Sequence, residues 1–201
     1  DEPLDNVKIN TEVVHVVGKA TDNIKLAQLL INEKAIAVDN SGNFRERVLV
    51  DAGENIITIK ATDAAGNVKV ITRTVIVELD APEITNIEPS NDVELRAGDT
   101  LTVSFNAPEG GEGYFRILLP FGLNNADIGI PMDEVDGLYT GTWTVPEGYV
   151  GTDLMVQVVY VSESGHEVTR IADGRLTLIG DMENMQVNAT VVDRSEERRV
   201  G

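Results

Sequence analysis

The strongest constraint on the fold is the spacing of the apolar residues, which come in short β-branched runs or alternate with polar residues, and almost never follow helical spacing. Alternation with period two predicts half-buried strands, and β-branched residues suit a pleated surface. The clearest runs are residues 13–17, 56–59, 68–77, 101–105 and 154–161. Glycine-containing turn signals separate them, at residues 39–42, 51–55, 63–67, 97–99, 136–137 and 163–165. This punctuation predicts an all-β chain of antiparallel sandwiches.

One segment has a composition that also suits a helix. Residues 24–30 read Ile-Lys-Leu-Ala-Gln-Leu-Leu, and several of these residues are good helix formers. Ile24 and Leu26 nevertheless alternate with polar neighbours, and turn signals flank the segment closely. We therefore predict a strand here.

The chain divides at residues 79–83, Leu-Asp-Ala-Pro-Glu. Pro82 fixes its own φ and biases Ala81 towards extended backbone. A short extended joint after a long apolar strand is typical of an inter-domain linker. The sequence therefore predicts domains at residues 8–80 and 82–180, with residues 181–193 forming a linker or the start of a further domain.

Both ends of the chain have features that we interpret as cuts. Residues 194–201 read as the frame translation of a common short-read sequencing adapter, so we expect them to be an assembly artefact. The other end begins at Asp1 rather than at Met. We expect the natural polypeptide to continue past Asp193.

Six blocks in the first domain carry a family resemblance through their order and spacing. They are residues 18–23 (Gly-Lys-Ala-Thr-Asp-Asn), 30–32 (Leu-Ile-Asn), 38–44 (Val-Asp-Asn-Ser-Gly-Asn-Phe), 53–57 (Gly-Glu-Asn-Ile-Ile), 61–67 (Ala-Thr-Asp-Ala-Ala-Gly-Asn) and 75–77 (Val-Ile-Val). Together they resemble the bacterial immunoglobulin-like module of the glucodextranase-B type. Three of these blocks also read as hairpin turns, of which residues 39–44 return Phe44 to the core.

Three blocks in the second domain, residues 113–117, 130–132 and 137–146, resemble fibronectin-III-like or immunoglobulin-like modules of exported bacterial proteins. The resemblances imply two tandem antiparallel Ig-like/fibronectin-III-like β-sandwiches that act as non-catalytic spacer or presentation modules. They imply a larger secreted or cell-surface protein, with a subtilisin-like peptidase as the leading parent; glycoside hydrolases and adhesins also carry such modules. The expected partners are then other domains of the same polypeptide.

Composition excludes several kinds of partner and site. The net charge is −18, and an acidic surface repels both nucleic-acid phosphates and anionic membrane surfaces. No apolar run reaches the roughly 18 residues of a membrane-spanning helix. The chain has no Cys, which excludes disulfides and thiolate metal sites. We therefore expect no nucleic-acid partner and no membrane insertion.

Catalytic chemistry has little support in the sequence. The only two histidines are His15, within an apolar strand, and His166, in a turn beside Ser162 and Ser164. A catalytic triad needs a nucleophile, a base within hydrogen-bond reach and an orienting group. The nucleophile elbow, the phosphate loop and the dinucleotide fingerprint are all missing from the sequence. We expect no catalytic residues and no organic cofactor.

A weak calcium site is the sharpest chemical hypothesis. Asp22, Asn23, Asp63 and Asn67 lie in two turns that a sandwich could bring to one end of the first domain. Calcium prefers carboxylate, amide and carbonyl oxygens, but this set has only two carboxylates. Formation of the turns themselves explains the same residues more simply.

The aromatic residues decide between a structural and a glycan-binding interpretation of the second domain. Residues 138–145 predict a strand with Tyr139, Trp143 and Val145 on one face, and we expect Trp143, the only Trp, to anchor the core. The alternative function is binding of extracellular polysaccharide or cell-wall glycan. It would need an exposed strip formed by Trp143, Tyr139, Tyr149 or Tyr160.

Overall fold

The computed structural model describes residues 2–22, 26–119 and 129–180, and these residues form strands and turns without any helix. The prediction of an all-β chain is therefore confirmed. The described part of the ambiguous segment is also a strand, Leu26–Ile31, whereas Ile24 lies outside the described residues.

In the described part of the chain ahead of Pro82, seven strands form the unit that we call the first module. They are β1 (Val7–Ile9), β2 (Val13–Lys19), β3 (Leu26–Ile31), β4 (Lys34–Ala35), β5 (Asn43–Leu49), β6 (Gly53–Asp63) and β7 (Val68–Val77). One sheet has the order β1-β7-β6-β3-β4, and the other contains β2 and β5. β1 pairs parallel to β7, and the remaining pairs are antiparallel.

The core of the first module lies between these two sheets. Inward residues of β2 and β5 meet inward residues of β3, β6 and β7, and the buried set is Val14, Val16, Leu29, Ile31, Phe44, Val50, Ile57, Val75 and Val77. Phe44 is buried directly after its turn, as predicted. Burial of this apolar surface is the main term that holds the two sheets together.

Among the residues described after Pro82 (82–119 and 129–180), eight strands form the second module. They are β8 (Thr85–Glu88), β9 (Val93–Arg96), β10 (Thr100–Asn106), β11 (Glu112–Leu118), β12 (Ile130–Val135), β13 (Leu138–Thr144), β14 (Gly151–Val161) and β15 (Glu167–Ile179). The strand order is β8-β10-β13-β12-β11-β14-β15-β9. The first half of β12 pairs with β11 and its second half pairs with β13, so this strand passes from one layer to the other.

The two modules begin with the same chain path. Glu2 pairs with Val17 of β2, and Glu88 pairs with Ser104 of β10. In each case a buried proline follows after a cis peptide bond. The chain then crosses to the opposite sheet, where β1 runs parallel to β7 and β9 runs parallel to β15. How far each module folds independently, with the boundary at residues 79–83, stays a prediction.

The predicted turns form as their residue types require. Each of the six turn signals contains a glycine with positive φ, a backbone region that side chains with a Cβ disfavour. These glycines are Gly42, Gly53, Gly66, Gly98, Gly137 and Gly165. Local turn chemistry therefore explains most of the strand ends, although residues 53–55 of the predicted turn at 51–55 already belong to β6.

Candidate functional site

Two turns of the first module share one construction, in which an aspartate closes its own loop. The Oδ1 atom of Asp63 accepts hydrogen bonds from the backbone N–H groups of Ala65 (2.9 Å) and Asn67 (2.8 Å), and the Asn67 side-chain amide donates to Oδ2 (2.7 Å). Asp39 makes the equivalent bonds to its own turn, with Asn43 in the place of Asn67. In both cases the bond from the asparagine side chain is the main reason why the pKa of the aspartate is lowered. Both carboxylates therefore act as turn closers.

The predicted calcium ligands lie around one feature of the first module, which we call the β2/β7 cleft. This cleft has a volume of about 440 Å³. It lies between the edge of β2 that pairs with Glu2 and residues 68–73 of β7. Asp22, Asp63 and Asn67 line it, and Asn23 lies outside the described residues. The structure thus brings three of the four predicted ligands together.

The charge and hydrogen bonding of the β2/β7 cleft do not favour a cation. Lys19, Lys69 and Arg73 line the same cleft and offset the charges of Glu2, Asp22 and Asp63. Both oxygens of Asp63 already accept hydrogen bonds from its turn. Within the described ranges, no group of three or more His, Asp or Glu side chains is placed to hold a metal ion. The calcium site stays a prediction.

His15 lies on β2 directly opposite Arg47 of β5. Its Nδ1 atom is buried and has no hydrogen-bond partner in the structure. This placement within a strand pair agrees with the structural role that the sequence predicts for His15.

The His166 imidazole contacts the first module, although two serines precede His166 closely in sequence. Its Nε2 atom lies 2.8 Å from the carbonyl oxygen of Glu78 in the first module, so this nitrogen donates in the neutral tautomer that fits the contact. The hydroxyls of Ser162 and Ser164 lie 2.9 Å from each other, and Ser162 Oγ also accepts from the His166 backbone N–H. The imidazole therefore joins the two modules and is not placed as a base for either serine.

A lysine contact between the modules accompanies His166. Lys8 of β1 donates from Nζ to Glu163 Oε2 at 2.5 Å, and Glu78 Oε1 lies 3.8 Å from the same Nζ. The hydrogen bond to Glu163 is the largest cause of the raised pKa of Lys8. The backbone N–H of Glu78 also donates to the carbonyl of Ile9 (2.9 Å). We refer to Lys8, Glu78, Glu163 and His166 as the junction.

A space of about 480 Å³ lies beside the junction, between the modules. Asp80 and Pro82 of the joint line it together with Pro108, Glu109 and Tyr160 of the second module. The loop that carries Pro108 and Glu109 therefore faces the first module across this space.

Two buried tyrosines fix that loop. Pro108 O accepts hydrogen bonds from the hydroxyls of Tyr139 (2.8 Å) and Tyr160 (3.0 Å). The Tyr139 ring stacks on Phe105 with a centroid distance of 4.9 Å. Burial is the main cause of the raised pKa of both tyrosines, and the pKa of Tyr160 reaches about 12. Hydrogen bonds from two core tyrosines of the second module thus hold the Pro108 loop in place.

The aromatic residues do not form the exposed strip that the glycan-binding alternative needs. Tyr139 and Tyr160 are 0% and 1% exposed. Trp143 and Tyr149 are half-buried, pack against the core and meet edge to face at 6.2 Å. The predicted packing of Trp143 against the core is confirmed. Glycan binding by this chain stays a prediction, and the burial of Tyr139 and Tyr160, two of the four residues named for that strip, counts against it.

Sequence reasoning missed the junction. No motif surrounds Lys8 or Glu163, and only the folded chain brings them together. The one local signal was the turn at residues 162–166, which resembles the aspartate turns with Ser162 in the closing position.

Comparisons with known proteins agree with this architecture. Residues 1–79 match the family model described as glucodextranase, domain B. The chain is 32% identical over 186 residues to Bacillopeptidase F of Bacillus subtilis (strain 168), a match that covers 89% of this chain and 13% of that protein. Fibronectin(III)-like modules of Clostridium thermocellum CbhA share the fold with a TM-score of 0.61 at 12% identity, over 89% of this chain and 93% of that chain. The prediction of tandem immunoglobulin-like and fibronectin-III-like modules is confirmed.

No helix within the described ranges is long and apolar enough to cross a membrane.

Proposed function

We propose that the two modules form a stiff, non-catalytic spacer in a longer exported protein, in which they hold a neighbouring domain at a set distance. The similarity to a segment of Bacillopeptidase F supports a peptidase as that neighbour. The observation that carries the proposal is the junction, where Lys8 meets Glu163 and His166 meets the Glu78 carbonyl.

Stiffness follows from the combination of contacts at the junction and not from one strong bond. Lys8 and Glu163 are 36% and 47% exposed, and solvent-exposed ion pairs stabilise only weakly. The His166 contact is made to Glu78 of the short joint between Val77 and Thr85, and the tyrosine-held loop lines the same space as that joint. Because relative motion is the usual state of linked domains, we expect these contacts to narrow the range of inter-module angles.

The placement of the histidines supports a non-catalytic role. His166 donates towards a carbonyl, and His15 lies in a strand pair opposite an arginine. Purified chain should therefore fail to turn over casein or polysaccharides. Turnover that His166→Ala abolishes would contradict the proposal.

The spacer role is tested by measuring the distance between the modules. The chain has no Cys, so Lys60→Cys and Asp133→Cys give two exposed labelling positions, one in each module. Electron–electron double resonance on the doubly labelled chain should give one narrow distance distribution. Lys8→Ala with His166→Ala should broaden it, because both changes remove contacts between the modules.

A matched control is available within the first module. Lys34 pairs with Glu46 at 3.0 Å, far from the junction in the strand order, so Lys34→Ala removes an ion pair without touching the second module. We expect Lys34→Ala to leave the distance distribution unchanged. A distribution that is already broad in the unchanged chain would show a flexible linker and overturn the spacer role.

A further inference from the structure

The outer face of the sheet formed by β2 and β5 carries a row of cations. Phe44 is buried in the core, so alternation places Arg45 and Arg47 on the outer, exposed side of β5. Lys19 lies opposite Asn43, one step farther along the same face, at the rim of the β2/β7 cleft. Successive residues on one face of a strand are about 7 Å apart, so the three cations span about 14 Å. We call Lys19, Arg45 and Arg47 the cationic row.

The cationic row is open to solvent and its charges are not neutralised. Within the described ranges, no ion pair or side-chain hydrogen bond engages any of its three members. Leu49, at the end of the same face, is 82% exposed, so no described segment covers this end of the face. Glu46 lies on the inner side of β5, where Lys34 pairs with it at 3.0 Å. Glu2 adjoins the row beside Val17, which leaves the face with a net positive charge.

The corresponding face of the second module is built without these cations. The bridge to Glu88 in the second module matches the bridge to Glu2 in the first, so β10 and β13 correspond to β2 and β5. In this register, uncharged residues take the three places of the cationic row, and they are Asn106, Thr140 and Thr142. Threonine suits an exposed strand face. A solvated sandwich face therefore does not require arginine, and the cationic row is a specific feature of the first module.

The cationic row reverses the sign of the charge locally in an acidic chain. The net charge is −18, and the long-range field of such a chain repels polyanions. Salt screens exposed charges over about 8 Å at physiological ionic strength, so a polymer that lies on the row interacts mainly with the row itself. Guanidinium groups bind carboxylates through two parallel hydrogen bonds, and two of the three cations are arginines. The described part of this face offers no aromatic anchor of the kind that protein partners use.

We propose that the cationic row binds a linear polysaccharide that carries carboxylates on its sugars. The polymer lies along β5, and successive carboxylates pair with Arg47, Arg45 and Lys19. The binding depends on spaced charge, so this site is separate from the strip of aromatic residues considered above. The first module then attaches the longer protein to an acidic glycan, which is a role beyond that of a spacer.

Binding of the full chain to immobilised polygalacturonate tests this assignment, measured by biolayer interferometry in about 50 mM NaCl. The test variant combines Arg45→Gln with Arg47→Gln. The control combines Arg96→Gln with Arg170→Gln, two exposed arginines of β9 and β15 in the second module. Both variants lose two positive charges, so they have the same net charge and differ only in where the charge is removed. Thermal unfolding checks that each variant is folded.

We expect the test variant to bind polygalacturonate at least about 10-fold more weakly than the unchanged chain, and the control to stay within about 2-fold. Arg45→Lys with Arg47→Lys keeps the charge and should recover most of the binding. The unchanged chain should bind less tightly as NaCl is raised, and it should not bind fully methyl-esterified polygalacturonate, which has the same sugars without the charges.

Two results would overturn the proposal directly, namely no binding by the unchanged chain, or equal losses in the test variant and the control. Tighter binding to single-stranded DNA of equal charge would also overturn it, because the row would then be a nucleic-acid surface. Polymer binding and the inter-module distance are separate measurements, so this proposal and the spacer role can fail independently.

Discussion

Asp5 and Asp92 make the same hydrogen bond at the same point of the two modules. Asp5 Oδ1 accepts from the backbone N–H of Thr74 at 2.8 Å, and Asp92 Oδ1 accepts from that of Arg175 at 2.9 Å. Each donor directly precedes the first residue in the parallel pairing of β7 or β15. The carboxylate therefore replaces a backbone partner where parallel pairing begins.

Removal of either carboxylate should destabilise its own module. Asp5→Ala and Asp92→Ala each remove the acceptor of a strand N–H, and because both hydrogen bonds are exposed we expect a loss of about 0.5–1.5 kcal/mol in each case. Asn keeps an acceptor oxygen at the same position, so Asp5→Asn and Asp92→Asn should recover part of the loss. Urea unfolding measures the effect, and Asn variants no more stable than the Ala variants would contradict the shared role.

The tyrosine hydroxyls that hold the Pro108 loop give a second prediction. Tyr160→Phe removes one hydrogen bond to Pro108 O and should cost about 1 kcal/mol. Tyr139→Phe should cost more, because its hydroxyl also accepts from the Gly111 N–H at 3.2 Å. Thermal unfolding of the second module measures both changes. Tyr149→Phe is the control, since the half-buried Tyr149 makes an edge contact with Trp143.

The same tyrosines predict a loss of stability in alkali. Burial raises the pKa of Tyr160 from about 10 to about 12, so the folded state favours the neutral phenol. The contribution of the neutral Tyr160 to the stability of the folded state is fully present below pH 10 and is lost as the pH rises through about 12. Absorbance at 295 nm reports the ionisation of tyrosines, and it should show Tyr160 ionising at a higher pH than an exposed tyrosine. Unfolding measured at each pH gives the accompanying loss of stability. Tyr160→Phe should reduce the alkaline loss.

The parts of the fold that could be predicted depend on local chemistry. The turn at residues 63–67 forms because Gly66 adopts positive φ and Asp63 accepts hydrogen bonds from its own loop. Both effects depend only on five consecutive residues. β7 follows the alternation of its residues and has the predicted bounds, Val68–Val77. β6 is longer than predicted, because it runs from Gly53 to Asp63 and includes residues 53–55, which the sequence assigned to a turn. Short-range rules therefore locate turns and strands, whereas the exact strand ends also depend on pairing with neighbouring strands.

The parts that could not be predicted depend on contacts between distant segments. Lys8 and Glu163 meet only in the folded chain, and although Glu163 stands in a predicted turn, nothing in the sequence indicates that this turn faces Lys8. The calcium hypothesis identified residues that line one cleft, but the sequence did not reveal that Lys19, Lys69 and Arg73 line it too. The sign of the charge around a site is a property of the folded surface.

The two glycines in matching turns should respond differently to the same substitution. Gly66 has φ +90° and open space where a Cβ would lie, so Gly66→Ala should cost only the strain of the backbone, about 1–2 kcal/mol. Gly42 has φ +87°, but its Cβ would lie 2.6 Å from Ala20 O and 2.7 Å from Thr21 Cγ2. Gly42→Ala should therefore cost more, by about 1–3 kcal/mol of overpacking. Equal losses in urea unfolding would refute this explanation.

The last prediction concerns calcium at Asp22, Asp63 and Asn67. A site of the weak extracellular class, with Kd of about 10⁻⁴ to 10⁻³ M, would stabilise the folded chain by about 1.4–2.7 kcal/mol in 10 mM calcium. We expect no such shift, because the Asp63 oxygens bond their own turn and three cationic side chains line the same cleft.

Thermal unfolding in EDTA and in 10 mM calcium decides between a metal ligand and a turn closer. Asp63→Asn would abolish a calcium shift if Asp63 were a ligand, whereas Asp39→Asn, in the matching turn outside the lining of the cleft, would leave that shift intact. If Asp39 and Asp63 close their turns, the folded chain should lose stability as the pH falls through their lowered pKa values, because protonation weakens the hydrogen bonds that each carboxylate accepts. A calcium shift that only Asp63→Asn removes would establish the site and overturn our expectation.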